Sequence, residues 1–133
     1  MKKIINGSIN GIRTEYRNKN GLYHREDGPA LEFSDRKIWY FNGKFHREND
    51  LPAFEDQSGH REWAIHGARH RDNGPAIIYS NGDKDWYKNG NRHRLDGPAV
   101  DWEDRKNWWL NGKHIPVSSQ EEFERYLKLI AFH

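Results

Sequence analysis

Residues 86–99 read WYKNGNRHRLDGPA, and most of this pattern recurs along the chain. Pro-Ala pairs begin at residues 29, 52, 75 and 98, each 23 residues after the one before. A His-Arg pair precedes each of them. Trp at positions 39, 63, 86 and 108 is followed three residues later by Asn-Gly or, once, by His-Gly. One pattern repeated in one order identifies an internal repeat, and the fold must be built from its units.

Each unit contains two short stretches in which polar and apolar residues alternate. One follows Pro-Ala, as in Leu31-Glu32-Phe33, and the other carries the Trp, as in Ile38-Trp39-Tyr40. A period of two indicates a half-buried strand, and Asn-Gly indicates a tight turn because both residues tolerate positive φ. Each unit therefore predicts about two short antiparallel strands. The stacked units predict an all-β fold, either an elongated twisted sheet or a β-solenoid.

A unit of this size cannot bury its own Trp, so neighbouring units are expected to cover it. Each Arg of the His-Arg pairs is expected to pack its stem on a Trp and to pair with a carboxylate. The segment Arg47–Pro52 has one extra residue and Leu51 in place of Gly, which predicts a distorted turn. The residues predicted to form the core ladder are Trp39, Trp63, Trp86 and Trp108.

The predicted organisation is a single repeat domain over residues 1–133, with repeats at 16–117 and a cap on each side. Residues 1–15 predict the N-terminal cap, whose apolar positions are Ile4, Ile5, Ile9 and Ile12. Within residues 118–133, a Ser and a Glu at capping-box spacing predict a helix from about Ser119 to Ala131 over the last sheet edge or face. The residues that share one face of this helix are Phe123, Tyr126, Leu127 and Ile130.

Composition restricts the class of protein. Leu, Ile, Val and Phe make up only 25 of 133 residues, near the limit below which chains tend to be disordered. The net charge of +2 and 18 aromatic residues nevertheless favour a folded chain. The absence of Cys excludes disulfides and thiolate ligands. Since no apolar run has the length of a membrane span or signal peptide, we expect a cytoplasmic protein with no membrane partner.

The Trp-x-x-Asn-Gly and His-Arg-x-Asp-Gly-Pro-Ala units resemble a repeat seen in hypothetical proteins of bacteriophages, giant viruses and some bacteria. They are similar to the membrane occupation and recognition nexus (MORN) family in unit length and in hairpins punctuated by Asn-Gly. The resemblance implies a β-hairpin scaffold that holds partners and performs no chemistry. For a phage protein it further implies action on a host protein in the host cytoplasm, for example inhibition of a defence system.

The repeated His residues do not indicate a metal site. If each unit adds two strands spaced by roughly 4.8 Å, equivalent His residues lie about 9.6 Å apart. Zinc ligands must all lie within about 2.0–2.1 Å of one ion, so these imidazoles cannot share it. The chain also lacks Gly-x-Ser-x-Gly, P-loop and His-Glu-x-x-His motifs. We therefore predict no catalysis, no metal and no cofactor.

Two binding hypotheses remain, and the oligomeric state stays open, with a homodimer through an uncovered sheet edge as one option. Repeat scaffolds bind partners where their units differ, which favours a protein partner at Arg36, Asn49, Asp50, His60, Asp83, Lys84, Asp104 and Arg105. The alternative is a nucleotide or single-stranded nucleic acid stacked on an Arg and aromatic face, formed by Arg25, Arg47, Arg71, Arg94, Tyr40, Tyr87 and Trp109. Those aromatic residues equally fit a second packed layer.

Overall fold

The computed structural model describes residues 2–8 and 11–131, and for residues 2–8, 11 and 12 it describes the backbone alone. The predicted apolar role of Ile9 in the N-terminal cap therefore lies outside the described residues. The same holds for the side chains of Ile4, Ile5 and Ile12.

Seventeen strands and one helix make up the regular structure of the described residues. The first strands are β1 (Lys2–Ser8), β2 (Gly11–Arg17), β3 (Leu31–Glu32), β4 (Arg36–Ile38), β5 (Tyr40–Phe41), β6 (Lys44–Phe45), β7 (Phe54–Asp56), β8 (Arg61–Glu62) and β9 (Ala64–Ile65). They are followed by β10 (Ala68–Arg69), β11 (Ile77–Ile78), β12 (Lys84–Asp85), β13 (Tyr87–Lys88), β14 (Asn91–Arg92), β15 (Val100–Trp102), β16 (Arg105–Leu110), β17 (Lys113–Ile115) and α1 (Gln120–Ala131).

Eleven strands form one antiparallel main sheet in the order β1-β2-β3-β4-β7-β8-β11-β12-β15-β16-β17. Three two-stranded ribbons, β5-β6, β9-β10 and β13-β14, stand outside it. The predicted class, all-β with a C-terminal helix, is confirmed. The predicted number of two strands per unit was too low, because most units form a two-stranded hairpin in the main sheet and then a two-stranded ribbon outside it. Trp39, Trp63 and Trp86 lie between the two.

The strand register gives the main sheet one apolar face and one charged face. Leu31, Ile77 and Val100 are buried on the first, next to a fully buried Ala from each Pro-Ala pair. On the opposite face, residues of opposite charge pair across the strands: Glu32 with Lys37, Lys37 with Glu55, Glu55 with Arg61, and Lys84 with Asp101. Such pairs stabilise a sheet by roughly 0.2–1 kcal/mol each. Their alternating sign gives this face no single-sign field.

Three acidic residues enter the apolar row, and all three are paired. Glu15, which is in register with Leu31, lies 3.2 Å from Arg13 Nε and 2.8 Å from Arg17 Nε. Asp85 is fully buried, where its carboxylate accepts bonds from the Tyr79 hydroxyl at 2.7 Å and the Trp102 indole N–H at 2.8 Å. Burial, reinforced by Asp85, raises the pKa of Tyr79. Glu62 accepts from Arg69 Nε at 2.9 Å. These partners satisfy groups that would otherwise be costly to bury.

Backbone hydrogen bonds join consecutive units in a recurring way. The N–H groups of Trp39, Trp63 and Trp86 each donate to the Ala carbonyl of the next Pro-Ala pair at 2.7 Å. Tyr16 makes the same bond to Ala30 at 2.7 Å, so it occupies the Trp position of the first unit. The Gly of each ribbon turn donates to the preceding ribbon, as from Gly67 to the Phe45 carbonyl at 2.8 Å. The ribbons are therefore stacked in the same order as the main-sheet hairpins.

The irregular turn predicted at Arg47–Pro52 is confirmed. Asn49 and Asp50 have φ of 64° and 56°, in the left-handed region that L-residues rarely adopt. The extra residue carries Asp50 into the next unit, where its carbonyl accepts from the Trp63 indole at 3.1 Å. Its carboxylate accepts from Arg71 Nε at 2.8 Å. The insertion is thus a link between units.

The helix α1 closes the last unit as predicted. Ser119 Oγ accepts from the Glu122 N–H at 3.1 Å, which caps the first turn. Phe123 is fully buried against Trp108 and Ile115. The indole of Trp108 also donates to Gln120 Oε1 at 2.8 Å. Tyr126 and Leu127 pack at the same place, whereas Ile130, expected on this face, remains 45% exposed.

We predict that Phe123→Ala lowers the free energy of unfolding by about 3–5 kcal/mol, since it removes a buried aromatic ring and leaves a cavity. Leu129→Ala is the matched control, because Leu129 lies on the same helix but is 65% exposed. Its effect should stay within about 0.5 kcal/mol. Urea unfolding followed by Trp fluorescence measures both. Equal effects of the two substitutions would show that the helix does not cap the core.

Candidate binding groove

The four repeated His residues link consecutive units. In each, Nδ1 accepts a backbone N–H from a turn of the next unit, which is a ribbon turn for the first three His residues and the β16-β17 turn for His93. The bonds are Asn42 to His24 at 2.9 Å, His66 to His46 at 2.8 Å, Asn89 to His70 at 2.9 Å, and Asn111 to His93 at 3.1 Å. An Nδ1 that accepts leaves the proton of the neutral ring on Nε2.

In the first three of these imidazoles, Nε2 faces a carboxylate two residues further along the chain. The separations are 3.8 Å to Glu26, 3.4 Å to Glu48 and 3.0 Å to Asp72. The fourth His, at position 93, has Leu95 at that place. The carboxylates themselves are mostly exposed, with side-chain accessibilities of 76%, 71% and 68%. One acidic group therefore faces solvent from each of the first three loops.

The Arg next to each His lies flat on an aromatic ring of its own unit. The guanidinium carbon is 3.8 Å from the Trp39 ring centre for Arg47, and 3.9 Å from Trp63 for Arg71 and from Trp86 for Arg94. Arg25 lies 4.1 Å above Tyr16 in the first unit. The predicted packing of Arg on Trp is confirmed. Each of these three indoles is thus covered by a cation of its own unit, in addition to the cover expected from neighbouring units.

The same guanidinium explains the Gly-Pro pair. Its NH1 donates to the Pro carbonyl, at 3.2 Å for Pro29, Pro75 and Pro98 and at 3.0 Å for Pro52. A Cβ on Gly28, Gly74 or Gly97 would lie 2.7, 2.9 or 2.5 Å from the guanidinium, so a side chain there would displace the Arg from this position. Three of these Arg also pair with carboxylates as predicted: Arg25 with Asp27, Arg71 with Asp50, and Arg94 with Asp96.

Between these loops lies an open groove, which we call the loop groove. It consists of two adjoining depressions of about 840 and 740 Å³ that share Arg47, Glu48, Asn49 and His66. Its walls are the loops of residues 25–28, 46–51 and 70–73, together with Trp39, Phe41 and Trp63. Phe41 is 39% exposed and Leu51 44%. The groove thus offers apolar surface between three recurring loops.

The loop groove is acidic although the whole chain is basic. Its lining has three Arg and five carboxylates, a formal charge of −2 with neutral His, against +2 for the chain. The three guanidiniums are held by aromatic rings and Pro carbonyls. Burial lowers the pKa of Arg47 from its ordinary value. Solvent in the groove therefore meets mainly carboxylates.

The structure separates the residues predicted to bind a protein partner into two regions, the loop groove and the tips of the main-sheet hairpins. Asn49 and Asp50 line the loop groove. Arg36 lines another depression of about 410 Å³, which shares no residue with the loop groove. His60 packs between Phe54 and Tyr79, with ring centres 5.5 Å away on each side, and bonds to Glu62 at 2.9 Å. The remaining residues lie at or beside the tips of the β11-β12 and β15-β16 hairpins: Asp83, Lys84, Asp104 and Arg105.

The residues predicted to bind a nucleic acid or nucleotide make packing contacts within the fold. Arg25, Arg47, Arg71 and Arg94 are the four stacked guanidiniums described above. Their aromatic counterparts are half-buried in or beside the ribbons, where Tyr40 packs against Tyr23 at 5.3 Å. The guanidinium of Arg92 lies 5.7 Å from the Tyr87 ring and 5.4 Å from that of Trp109. This arrangement matches a packed second layer better than a free stacking platform.

Sequence reasoning missed four of the residues that give the loop groove its character: Phe41, Glu26, Glu48 and Asp72. A usable signal existed for the acidic ones, because a carboxylate follows three of the four His residues by two positions. That these carboxylates face solvent depends on the orientation of the imidazoles. The hydrogen bond from the next ribbon defines this orientation, and the sequence does not show it.

No family model, no curated protein and no solved structure matches this chain. The resemblance to MORN-type repeats therefore stays a prediction. Among residues 2–8 and 11–131, no three His, Asp or Glu side chains come together in a way that could hold a metal ion. Within the same residues no helix has the length and apolar character to cross a membrane.

The link through His93 predicts a pH-dependent stability. Burial, reinforced by the charge of Lys88, lowers the pKa of His93. A depressed pKa in the folded state means that the unfolded chain binds the proton more readily. This contribution is therefore complete above about pH 6.5, the ordinary pKa of His, and is lost as the pH falls toward the folded value.

His93→Asn tests this prediction, because Asn Oδ1 can accept the Asn111 N–H but does not titrate. Urea unfolding at pH 7.5 and pH 5 should show a smaller loss of stability on acidification in the variant than in the natural protein. An identical loss in both would contradict a role for His93 in acid sensitivity.

Proposed function

We propose that this protein is a non-catalytic binding protein whose loop groove holds a segment of a protein partner, which it thereby blocks or redirects. In keeping with the resemblance, the partner we propose is a host protein. The observation that carries the proposal is the contrast in charge. A groove of formal charge −2, with its cations engaged and its carboxylates exposed, lies on a chain of charge +2.

The mixture of surfaces in the groove supports a protein partner. Phe41 and Leu51 expose apolar area, and Trp39 contributes an aromatic wall. Apolar anchors beside charged groups are typical of protein interfaces, where buried anchors supply affinity and charges supply orientation and association rate. The complementary partner surface carries basic residues around an apolar side chain.

The same features argue against the alternative of a nucleic acid. A groove that follows phosphates needs free cations, whereas Arg25, Arg47 and Arg71 are held by rings and carbonyls. Exposed carboxylates at Glu26, Glu48 and Asp72 would repel phosphates. A non-catalytic role is supported by the pairing of the buried acids, since Asp85 is bonded to Tyr79 and Trp102 and Glu15 is paired with two Arg residues.

Charge reversal within the groove tests the proposal. We expect the double variant Glu48→Lys and Asp72→Lys to lose at least tenfold in the amount of protein captured from a bacterial lysate. The matched control is Glu103→Lys with Glu124→Lys, which changes the net charge equally at two exposed positions outside the groove and outside the residues predicted to bind a partner. Capture by the control should persist, and nuclease treatment should leave it unchanged. Thermal unfolding of each variant verifies that it is folded.

Two results would overturn the proposal. Equal capture by both variants would show that the loop groove is not the binding surface. Loss of all captured protein after nuclease treatment would instead favour a nucleic-acid partner.

A further inference from the structure

The carboxylates of the loop groove are arranged with the period of the units, and this period restricts the shape of what binds there. The inference rests on the proposed function, since it names the kind of segment that the groove receives. Glu26, Glu48 and Asp72 occupy equivalent positions, each two residues after the His that joins its unit to the next ribbon. Consecutive units are two strands apart in the main sheet. Their equivalent groups are therefore about 9.6 Å apart.

These three carboxylates are also the ones that no Arg compensates in the groove. Asp27 and Asp50, the other acidic residues of the lining, pair with Arg25 at 3.0 Å and Arg71 at 2.8 Å. The groups that Glu26, Glu48 and Asp72 face are instead imidazoles whose Nδ1 accepts a backbone N–H. A neutral imidazole donates a hydrogen bond but adds no charge.

Among regular peptide conformations, polyproline II fits this spacing best. It has three residues per turn and a rise of about 3.1 Å, so residues three apart lie on one side and about 9.3 Å apart. In a β-strand, residues three apart point to opposite faces. In an α-helix, residues seven apart are about 10.5 Å apart and drift by about 20° per heptad. Polyproline II, at about 9.3 Å, is therefore closer than the helix, at about 10.5 Å, to the unit spacing of about 9.6 Å.

The openness of the groove agrees with this conformation. A polyproline II backbone is fully solvated, so it needs no enclosing channel, and it loses little conformational entropy when bound. The loop groove is open, and Phe41, Trp39 and Leu51 give it apolar surface beside the charged groups. Aromatic side chains along an open groove are a recurring way to hold such segments.

We infer that the partner of the loop groove is an extended, polyproline II segment that carries a basic residue at every third position, one for each of three units. Each basic side chain lies against one of Glu26, Glu48 and Asp72. The series stops at three because the fourth unit has Leu95 at the equivalent position, where it is 55% exposed. A segment longer than this gains no further charge pair.

Synthetic peptides test the inference on the complete chain. The probe is three repeats of Lys-Pro-Pro, and its control has the same composition with the three Lys residues adjacent. Titration calorimetry at 50 and 200 mM salt should give at least tenfold tighter binding of the periodic peptide than of the clustered one. Its affinity should fall as salt increases, because the contacts are solvent-exposed charge pairs. A fourth Lys-Pro-Pro repeat should change the affinity by no more than about twofold, the statistical gain from an extra binding register.

Variants that remove charge but keep hydrogen-bond acceptors assign the effect to the groove. Glu48→Gln with Asp72→Asn should abolish the preference for the periodic peptide. Glu103→Gln with Glu124→Gln, which removes the same charge from two exposed positions outside the groove, should preserve it.

Equal affinity for both peptides, or no binding of either, would overturn the inference. So would tighter binding of a helical peptide with Lys at every seventh position. None of these results decides the proposed function, which the capture experiment with the charge-reversed variants tests separately. Conversely, equal capture by those variants would remove the proposed function whatever the peptides do.

Discussion

A guanidinium laid on an aromatic ring is the interaction on which this structure depends. In each of four units the Arg after the repeated His covers a Trp or Tyr at 3.8–4.1 Å and donates to a Pro carbonyl. A cation over an indole stabilises a desolvated site by up to about 2 kcal/mol. In a chain with few aliphatic residues, the guanidinium closes the exposed side of the ring where a larger core would place Leu or Ile.

The same interaction shapes the surface that we propose for binding. Because the guanidinium lies against the backbone of Gly28, Gly74 and Gly97, each loop folds tightly around it. The adjacent His is then directed at the next ribbon. This leaves the carboxylate two residues further on to face solvent. Core packing and groove charge therefore arise from one short sequence, and the groove follows the first three of the four loops that carry it.

The sequence allowed much of this to be predicted. Turns at Asn-Gly, the distorted turn after Arg47, the helix that ends the chain and the packing of Arg on Trp all follow from local patterns. Each depends on residues close in sequence, or on one pairing repeated four times. The fourfold recurrence also made the exclusion of a shared metal site a matter of simple geometry.

The predictions that were wrong concern geometry that the alternation of polar and apolar residues does not encode. Ile38-Trp39-Tyr40 reads as one strand, whereas the chain leaves the main sheet at Trp39 and begins a ribbon, so the number of strands per unit was underestimated. The predicted protein-binding residues were selected for variability and exposure. They divide between the loop groove and the hairpin tips because a sequence does not show which end of a hairpin meets a neighbouring loop. The reach of Asp50 into the next unit was hidden for the same reason.

A double-mutant cycle on Arg71 and Trp63 tests the central claim most directly. The free energy of unfolding is measured in urea for the natural chain, for Arg71→Ala, for Trp63→Leu and for the double variant. The account predicts a coupling energy of about 1–2 kcal/mol, since both single changes remove the same desolvated contact. A coupling energy near zero would contradict it, because Arg71 would then lie over Trp63 without contributing to the stability of the fold.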